Sequence, residues 1–595
     1  MNIVKNIYLM KKVAFLLVCL TCSQFLNAQN FQSFDLQVNT EANPRQMVQL
    51  GDKVVFFAYT DTTGEELFAY DHLTQTVSLV KDITAGPSSS TWGYTEYIVF
   101  QNKLFFTAND SIHGIEVWVT DGTPNGTFLL KDINPGVDDA YPGQYFIYNN
   151  RLYFTAQTAN EGQELWYTDG TSAGTNLLID INPGVNGSYP VSFIICNNQL
   201  YFSAYHDNYG SELWKTDGTP AGTQLVKDIT GDNNDGVGYS PFGPFCLNNQ
   251  VIFVGQDTIG NQELWITDGT AAGTQQLKDI NPGANSSYPS YFIGFQNYLY
   301  FAADDGTHGQ ELWRTDGTPS GTVLVKDIKP GTDGSYPYNF FVADTILLFS
   351  AEASTNDREV WKTNGSQTSL LKNIHPASSY PENFIAFQNK VYFTAEDATN
   401  GKELWVTDGT TAGTQLFKNI NTNIFAGSYP HSFTVHGNQL FFIADTGPIN
   451  NENYQLFVTD GTPAGTTMIA PQASTNPFNS WYFPFYLTST SYGLFFKAAF
   501  SPINQFELWR YYSPNTSLSS PTNIATFKCY PNPYQDVIHC ECNQNDEIQV
   551  FNLHGKLLFK TQVQKGINEI KLADFCEPVI IRTQNESTLL LPGNK

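Results

Sequence analysis

Carboxylates recur along this chain at regular places, and they are the residues that could do chemistry. A Glu opens a short anchor, Glu-Leu-Trp or Glu-Val-Trp, at Glu116, Glu164, Glu212, Glu263, Glu311, Glu359 and Glu403. Weaker copies are Glu66-Leu67-Phe68, Gln455-Leu456-Phe457 and Glu507-Leu508-Trp509. An Asp-Gly-Thr follows most of them, at Asp121, Asp169, Asp217, Asp268, Asp316, Asp408 and Asp460. Such residues suggest general acid–base catalysis or a calcium ligand set. Gln455 argues against the first, because an amide keeps the shape and an acceptor of Glu but carries no useful proton. Calcium needs several oxygens on one ion. One carboxylate per hairpin does not supply them, and Asn364 stands at the equivalent place in the seventh copy. The Asp residues are therefore expected to be turn builders, accepting backbone N–H bonds beside a Gly of positive φ. No catalytic residue, metal site or cofactor is expected.

A second set of residues points to binding. Tyr141, Tyr189, Tyr288, Tyr336, Tyr380 and Tyr429 each precede a Pro in the loops that follow the Asp-Ile or Asn-Ile ends of the repeats, with acidic loops such as Asp304-Asp305 nearby. Aromatic rings beside carboxylates around one opening suit a sugar or a cationic peptide. The competing reading has each Tyr pack its own loop against the neighbouring unit.

These side chains need elements to hold them. Successive anchors lie 44 to 52 residues apart, and a period of that size marks a solenoid or a propeller. Each period reads as four short strands; in the third copy these are the runs Arg151–Ala156, Gln163–Tyr167, Leu177–Ile181 and one through Phe193–Ile195. Adjacent large apolar residues, such as Tyr153 with Phe154, require a sheet covered on both faces. The fold class expected is all-β: a β-propeller of about ten four-stranded repeats, as one ring or as two five-bladed rings. Closure is expected from the N-terminal segment 34–39, supplying the outer strand that the last unit lacks.

Composition bounds the rest. The formal net charge is −26, and it falls further when Lys5, Lys11 and Lys12 leave with a signal peptide. Such a surface repels nucleic acid and anionic membranes. Lys11-Lys12, an apolar run from Val13 to Leu20 and Leu26-Asn27-Ala28 read as a secretory signal over 1–28. No other stretch is long and apolar enough to be a transmembrane helix. Six cysteines remain in the mature chain, with no pairing that the sequence dictates.

The repeats closely resemble the ELWxxDGT repeat family, whose name spells the residues at 311–318; the resemblance implies an exported bacterial protein. The end of the chain resembles the C-terminal sorting domain of type IX secretion in Bacteroidota. The matching residues are Tyr530-Pro531-Asn532-Pro533, the run from Ile548 to Lys556, and Asn568-Glu569-Ile570-Lys571-Leu572. That resemblance implies a small β-sandwich read by the outer-membrane export machinery. The expected organisation is a signal peptide 1–28, a propeller 34–518, a linker 519–526 and a sorting domain 527–595. The function expected is display or binding of a polysaccharide or protein at the cell surface. The alternatives are a glycan-active hydrolase or lyase with its site in the central opening, and a structural cell-envelope protein.

Overall fold

The computed structural model describes residues 30–34, 36, 42–91, 95–231, 233–237, 243–422, 427–448, 453–469, 484–499 and 506–512, and strands between 528 and 590. The signal peptide 1–28 and the linker 519–526 lie outside the described residues. Every regular element among these residues is a strand. No helix of the described residues is long and apolar enough to cross a membrane.

The chain divides into two compact units, 1–514 and 515–595. The first contains ten four-stranded antiparallel sheets. Blade 3 shows how the sequence builds one, with strands Gly143–Tyr148, Arg151–Thr158, Gly162–Thr168 and Asn176–Ile179. Asn149 and Asn150, with φ of 47° and 57°, make the tight turn between the first two, since Asn tolerates the left-handed region that a twisted hairpin needs. In the second strand Leu152, Tyr153 and Phe154 are all buried, because both faces of the sheet are covered by neighbouring sheets.

The ring is single. Blade 1 packs on blade 2 through Phe57 and Phe106, and blade 5 packs on blade 6 through Ile252 and Phe301. Blade 10 packs back on blade 1 through Phe495, Leu508, Val54 and Phe56. Two five-bladed rings would join blade 5 to blade 1 instead. First strands of neighbouring blades lie side by side, at 431–436 beside 485–490 and 45–50 beside 485–490, so they line the axis. Lysines at or just after the fourth strands tether four of the seams: Lys81, Lys131, Lys227 and Lys278 donate to the carbonyls of Thr127, Thr175, Thr274 and Thr322 in the next blade at 2.7–2.9 Å.

The N-terminal segment does complete blade 10, but with different residues from those expected. Asn30–Phe34 pairs antiparallel with Phe506–Tyr512, from Asn30 opposite Tyr512 to Phe34 opposite Leu508. Of segment 34–39, Phe34 belongs to the strand, and residues 35 and 37–39 lie outside the described residues. Phe31 packs against Tyr511 and Phe496, while Phe34 enters the core shared with blade 1.

One seam carries a covalent staple. Cys196, at the end of blade 4's first strand, is bonded to Cys246 in the first strand of blade 5. That strand, Phe245–Leu247, has three residues, whereas the other first strands have four to six. A bridge spanning 50 residues restricts the unfolded chain by about 4 kcal/mol in the loop-entropy account. Cys246→Ser is expected to lower the free energy of urea unfolding by about 2–4 kcal/mol, and reductant should do the same to the native protein. Coincident unfolding curves with and without reductant would contradict this.

Among its described residues the second unit holds two antiparallel sheets. One holds Lys528–Tyr530, Val537–Cys542 and Gly566–Lys571. The other holds Leu557–Val563, Asp546–Asn552, Val579–Arg582 and Ser587–Leu590, with Ile548 and Val550 buried.

Candidate functional site

The anchor Glu residues are buried, at 0–1 % exposure for the eight from Glu66 to Glu403, and they fasten the loops that cross from one blade to the next. Glu311 accepts hydrogen bonds from Ile328 N at 3.1 Å, Lys329 N at 3.0 Å and Ser335 Oγ at 2.6 Å. The same loop is fixed at its backbone, with Tyr336 N donating to Gln310 O and Glu352 N of the next blade donating to Ser335 O. Ser90, Ser188, Ser287, Ser379 and Ser428 repeat the serine contact to Glu66, Glu164, Glu263, Glu359 and Glu403. A carboxylate so engaged is a structural rivet.

The rivet places the tyrosines. Tyr189, Tyr288, Tyr336 and Tyr429 each follow a riveted serine directly, as does Tyr380; Tyr141 follows Ala140. All six have φ of 43–48° and are 47–60 % exposed. Positive φ is unusual for a bulky residue, and it survives where surrounding bonds hold the backbone. Because they sit in the loops between fourth and first strands, the six share one face of the ring.

Three residues beyond each Tyr, a second set lies at the mouth of the axis: Gln144, Ser192, Tyr291, Asn339, Asn383 and Ser432, with φ of 53–61°. Each occupies a bulge that opens the first strand of its blade. Gln46 and Tyr486 hold the same place in blades 1 and 10. The constant offset from Tyr was a usable signal in the sequence, but only backbone geometry shows that these residues line the opening. Further along the first strands, half-exposed Val99, Ile147, Ile195, Val342 and Val435 form an apolar collar.

Several charges at this rim are paired. Arg45 meets Glu65 at 2.5 Å, Lys402 meets Glu382 at 2.5 Å, and Arg358 meets Glu352 at 3.0 Å. What faces solvent at the bulges is largely amide, hydroxyl and phenol.

The structure brings Tyr141 and Tyr189 to one cleft of about 410 Å³, lined also by Thr95, Glu96, Thr107, Gln144 and Gln163. Glu96 accepts the N–H of Gln144 at 2.6 Å. The Asp139 carboxylate near the Tyr141 hydroxyl pushes that phenol up. Tyr288, Tyr336, Tyr380 and Tyr429 occupy the corresponding loops of other blades.

The Asp residues lie at the other end of the blades, in the turns between third and fourth strands. Asp316 Oδ1 accepts Thr318 N at 2.9 Å and Thr318 Oγ1 at 2.7 Å. A Cβ on Gly321 would fall 2.0 Å from Asp316 Oδ1, so only glycine fits there. Asp121, Asp169, Asp217, Asp268, Asp408 and Asp460 make the same pair of bonds. Among the described residues no group of three His, Cys, Asp or Glu is placed to hold a metal ion.

The two carboxylate sets titrate in opposite senses. Burial pushes Glu66, Glu164 and Glu403 up to about 7, and Glu116 and Glu212 up to about 8. Threonine hydroxyl bonds hold Asp169, Asp217, Asp268, Asp316, Asp408 and Asp460 below their ordinary value. A raised Glu contributes stability that is full below the unfolded value of 4.5 and is lost as pH climbs through 7 to 8. A lowered Asp contributes stability that is full above 3.8 and is lost in more acid solution. The melting temperature is therefore expected to peak near pH 4–5 and to fall towards pH 8; a flat or rising profile over that interval would refute the assignment.

Residues 528–575 match the secretion system C-terminal sorting domain family. The chain thus carries the signal read by the type IX secretion machinery, and its destination is the outer cell surface or the medium. No curated protein matches the chain. Among solved structures, the computationally designed Ika8 protein is similar at 17 % identity over 61 % of this chain and 95 % of its own, with a TM-score of 0.30. Puromycin hydrolase is similar at 13 % identity over 59 % of this chain and 58 % of its own, with a TM-score of 0.29. PorZ, a surface component of the type IX secretion system of Porphyromonas gingivalis, is similar at 11 % identity over 93 % of this chain and 86 % of its own, with a TM-score of 0.22.

Proposed function

We propose that the exported ring is a non-catalytic binding protein that meets a polysaccharide or a surface protein with its tyrosine-bearing face. The signal peptide 1–28, cleaved after Ala28, would start it on this route, and the ELWxxDGT resemblance of its repeats agrees with an exported protein. The observation that carries the reading is the set of six tyrosines, each held at positive φ and each about half exposed on the same face of the ring. Large rings kept in a strained backbone and left in solvent are more useful to a ligand than to the core.

Support for binding over turnover comes from the carboxylates. Glycoside hydrolysis uses two carboxyl groups flanking one bond. The anchor Glu residues are buried under hydrogen bonds, and Glu96 is the one carboxylate among the lining residues of the Tyr141 cleft. The mature protein should be applied to polysaccharide and surface-protein arrays, with the eluate analysed for cleavage products. Saturable retention without products is expected. Released oligosaccharides would make the ring an enzyme, and no retention on any array would leave a structural envelope role.

A further inference from the structure

The mouth of the ring differs in character from the molecule as a whole. The chain is strongly acidic at −26, yet the solvent-facing bulge residues are mostly neutral. Gln46, Gln144, Ser192, Asn339, Asn383 and Ser432 supply amides and hydroxyls, and the nearby Arg45, Lys402 and Arg358 are each paired with a carboxylate. A cationic peptide would be drawn to unpaired acid, and an anionic glycan to unpaired Arg or Lys. Neither partner finds it concentrated here. Amide and hydroxyl groups, which both donate and accept, together with flat phenol rings, match a ligand that presents hydroxyls around its edge and C–H groups on its faces.

Resting on the binding reading above, we propose that the ligand is an uncharged polysaccharide, and that one sugar-binding subsite is the cleft between Tyr141 and Tyr189. The two phenol rings come from successive blades and bound a space of about 410 Å³, the volume of a site for a few sugar rings. Gln144, Gln163 and Thr95 line it as hydrogen-bonding groups, and Glu96 is its single acceptor-only side chain. Repetition of the tyrosine loop round the ring gives a long chain several contacts at once, so a polymer binds more tightly than its short fragments.

The test uses the mature, exported protein on an array holding neutral glucans, mannans and galactans, uronate-containing and sulfated polysaccharides, and cationic peptides. Neutral glycans should be retained, with affinity rising with chain length. Y141A/Y189A should weaken retention at least about tenfold, and Y141F/Y189F should hold it within about threefold, since Phe keeps the ring face. Melting temperatures of both variants should match the native protein, because these side chains are half exposed. If charged glycans or peptides are retained instead, and Y141A/Y189A abolishes it, binding by this face stands and the neutral-sugar assignment falls. If Phe weakens binding as much as Ala, stacking is wrong and the subsite falls. If nothing is retained, or retention ignores both tyrosines, the assignment fails together with the reading on which it rests.

Discussion

Deletion of residues 30–34 is expected to open the ring and destabilise it by about 5 kcal/mol or more. The strand is the outer member of blade 10, paired through five residue positions with Phe506–Tyr512. Removing it leaves that third strand as an edge with unpaired N–H and C=O groups. It also empties the place of Phe34, which is buried at the seam of blades 10 and 1; truncation of a buried Phe alone costs about 3–5 kcal/mol. Arg510 loses its contact to Gln32. The deleted protein should unfold at lower urea concentration, associate through the bared edge, and lose hydrogen-exchange protection first at 506–512. Phe34→Ala should reproduce the loss of stability while keeping the strand, because its backbone bonds remain. Unchanged unfolding of the deletion protein would show that the ring does not depend on this closure.

Closure also shows what the sequence could and could not reveal. The 44–52-residue period and the four strands per unit are local patterns, and they appear in the structure as ten four-stranded sheets. The closing segment was visible as an absence, a last unit short of one strand. Its register was not, because the strand is packed on both sides: Phe31 serves the seam with blade 9 and Phe34 the seam with blade 1, so no alternation of apolar and polar residues marks it. One ring against two turned on blade 5 meeting blade 6, a contact between sheets that no residue spacing encodes. The Cys196–Cys246 bridge was hidden for a similar reason, since the strand holding Cys246 is only three residues long and has too little pattern to align with its counterparts. The six tyrosines were legible by position, but their positive φ and the neutral ring three residues on belong to backbone geometry.

Glu311→Ala is expected to cost about 4–6 kcal/mol, and Glu311→Gln far less. The alanine leaves Ile328 N, Lys329 N and Ser335 Oγ without their acceptor in a buried site, and each orphaned donor costs about 1–3 kcal/mol. Glutamine keeps an oxygen for the backbone donors, as Gln455 stands at the anchor of the ninth repeat. Because Ser335 precedes Tyr336, the alanine variant should also loosen that tyrosine, which hydrogen exchange at 335–336 would report. Of the eight blades anchored by Glu66 to Glu403, two already lack the serine: Ala140 and Gly236 stand where the other six have it, and Glu116 Oε2 and Glu212 Oε2 are buried without a hydrogen-bond partner among the described residues. Those two carboxyls are the ones pushed to about 8 instead of about 7, as expected when a stabilising hydroxyl is missing. Ala140→Ser should therefore stabilise the protein by about 1 kcal/mol at pH 8, and bring the Glu116 titration down towards that of its serine-paired counterparts. A stabilising Ala140→Ser together with a costly Glu311→Ala would establish the hydroxyl–carboxylate pair as the rivet. If both substitutions were silent, the loops and their tyrosines would have to be held by the backbone bonds alone.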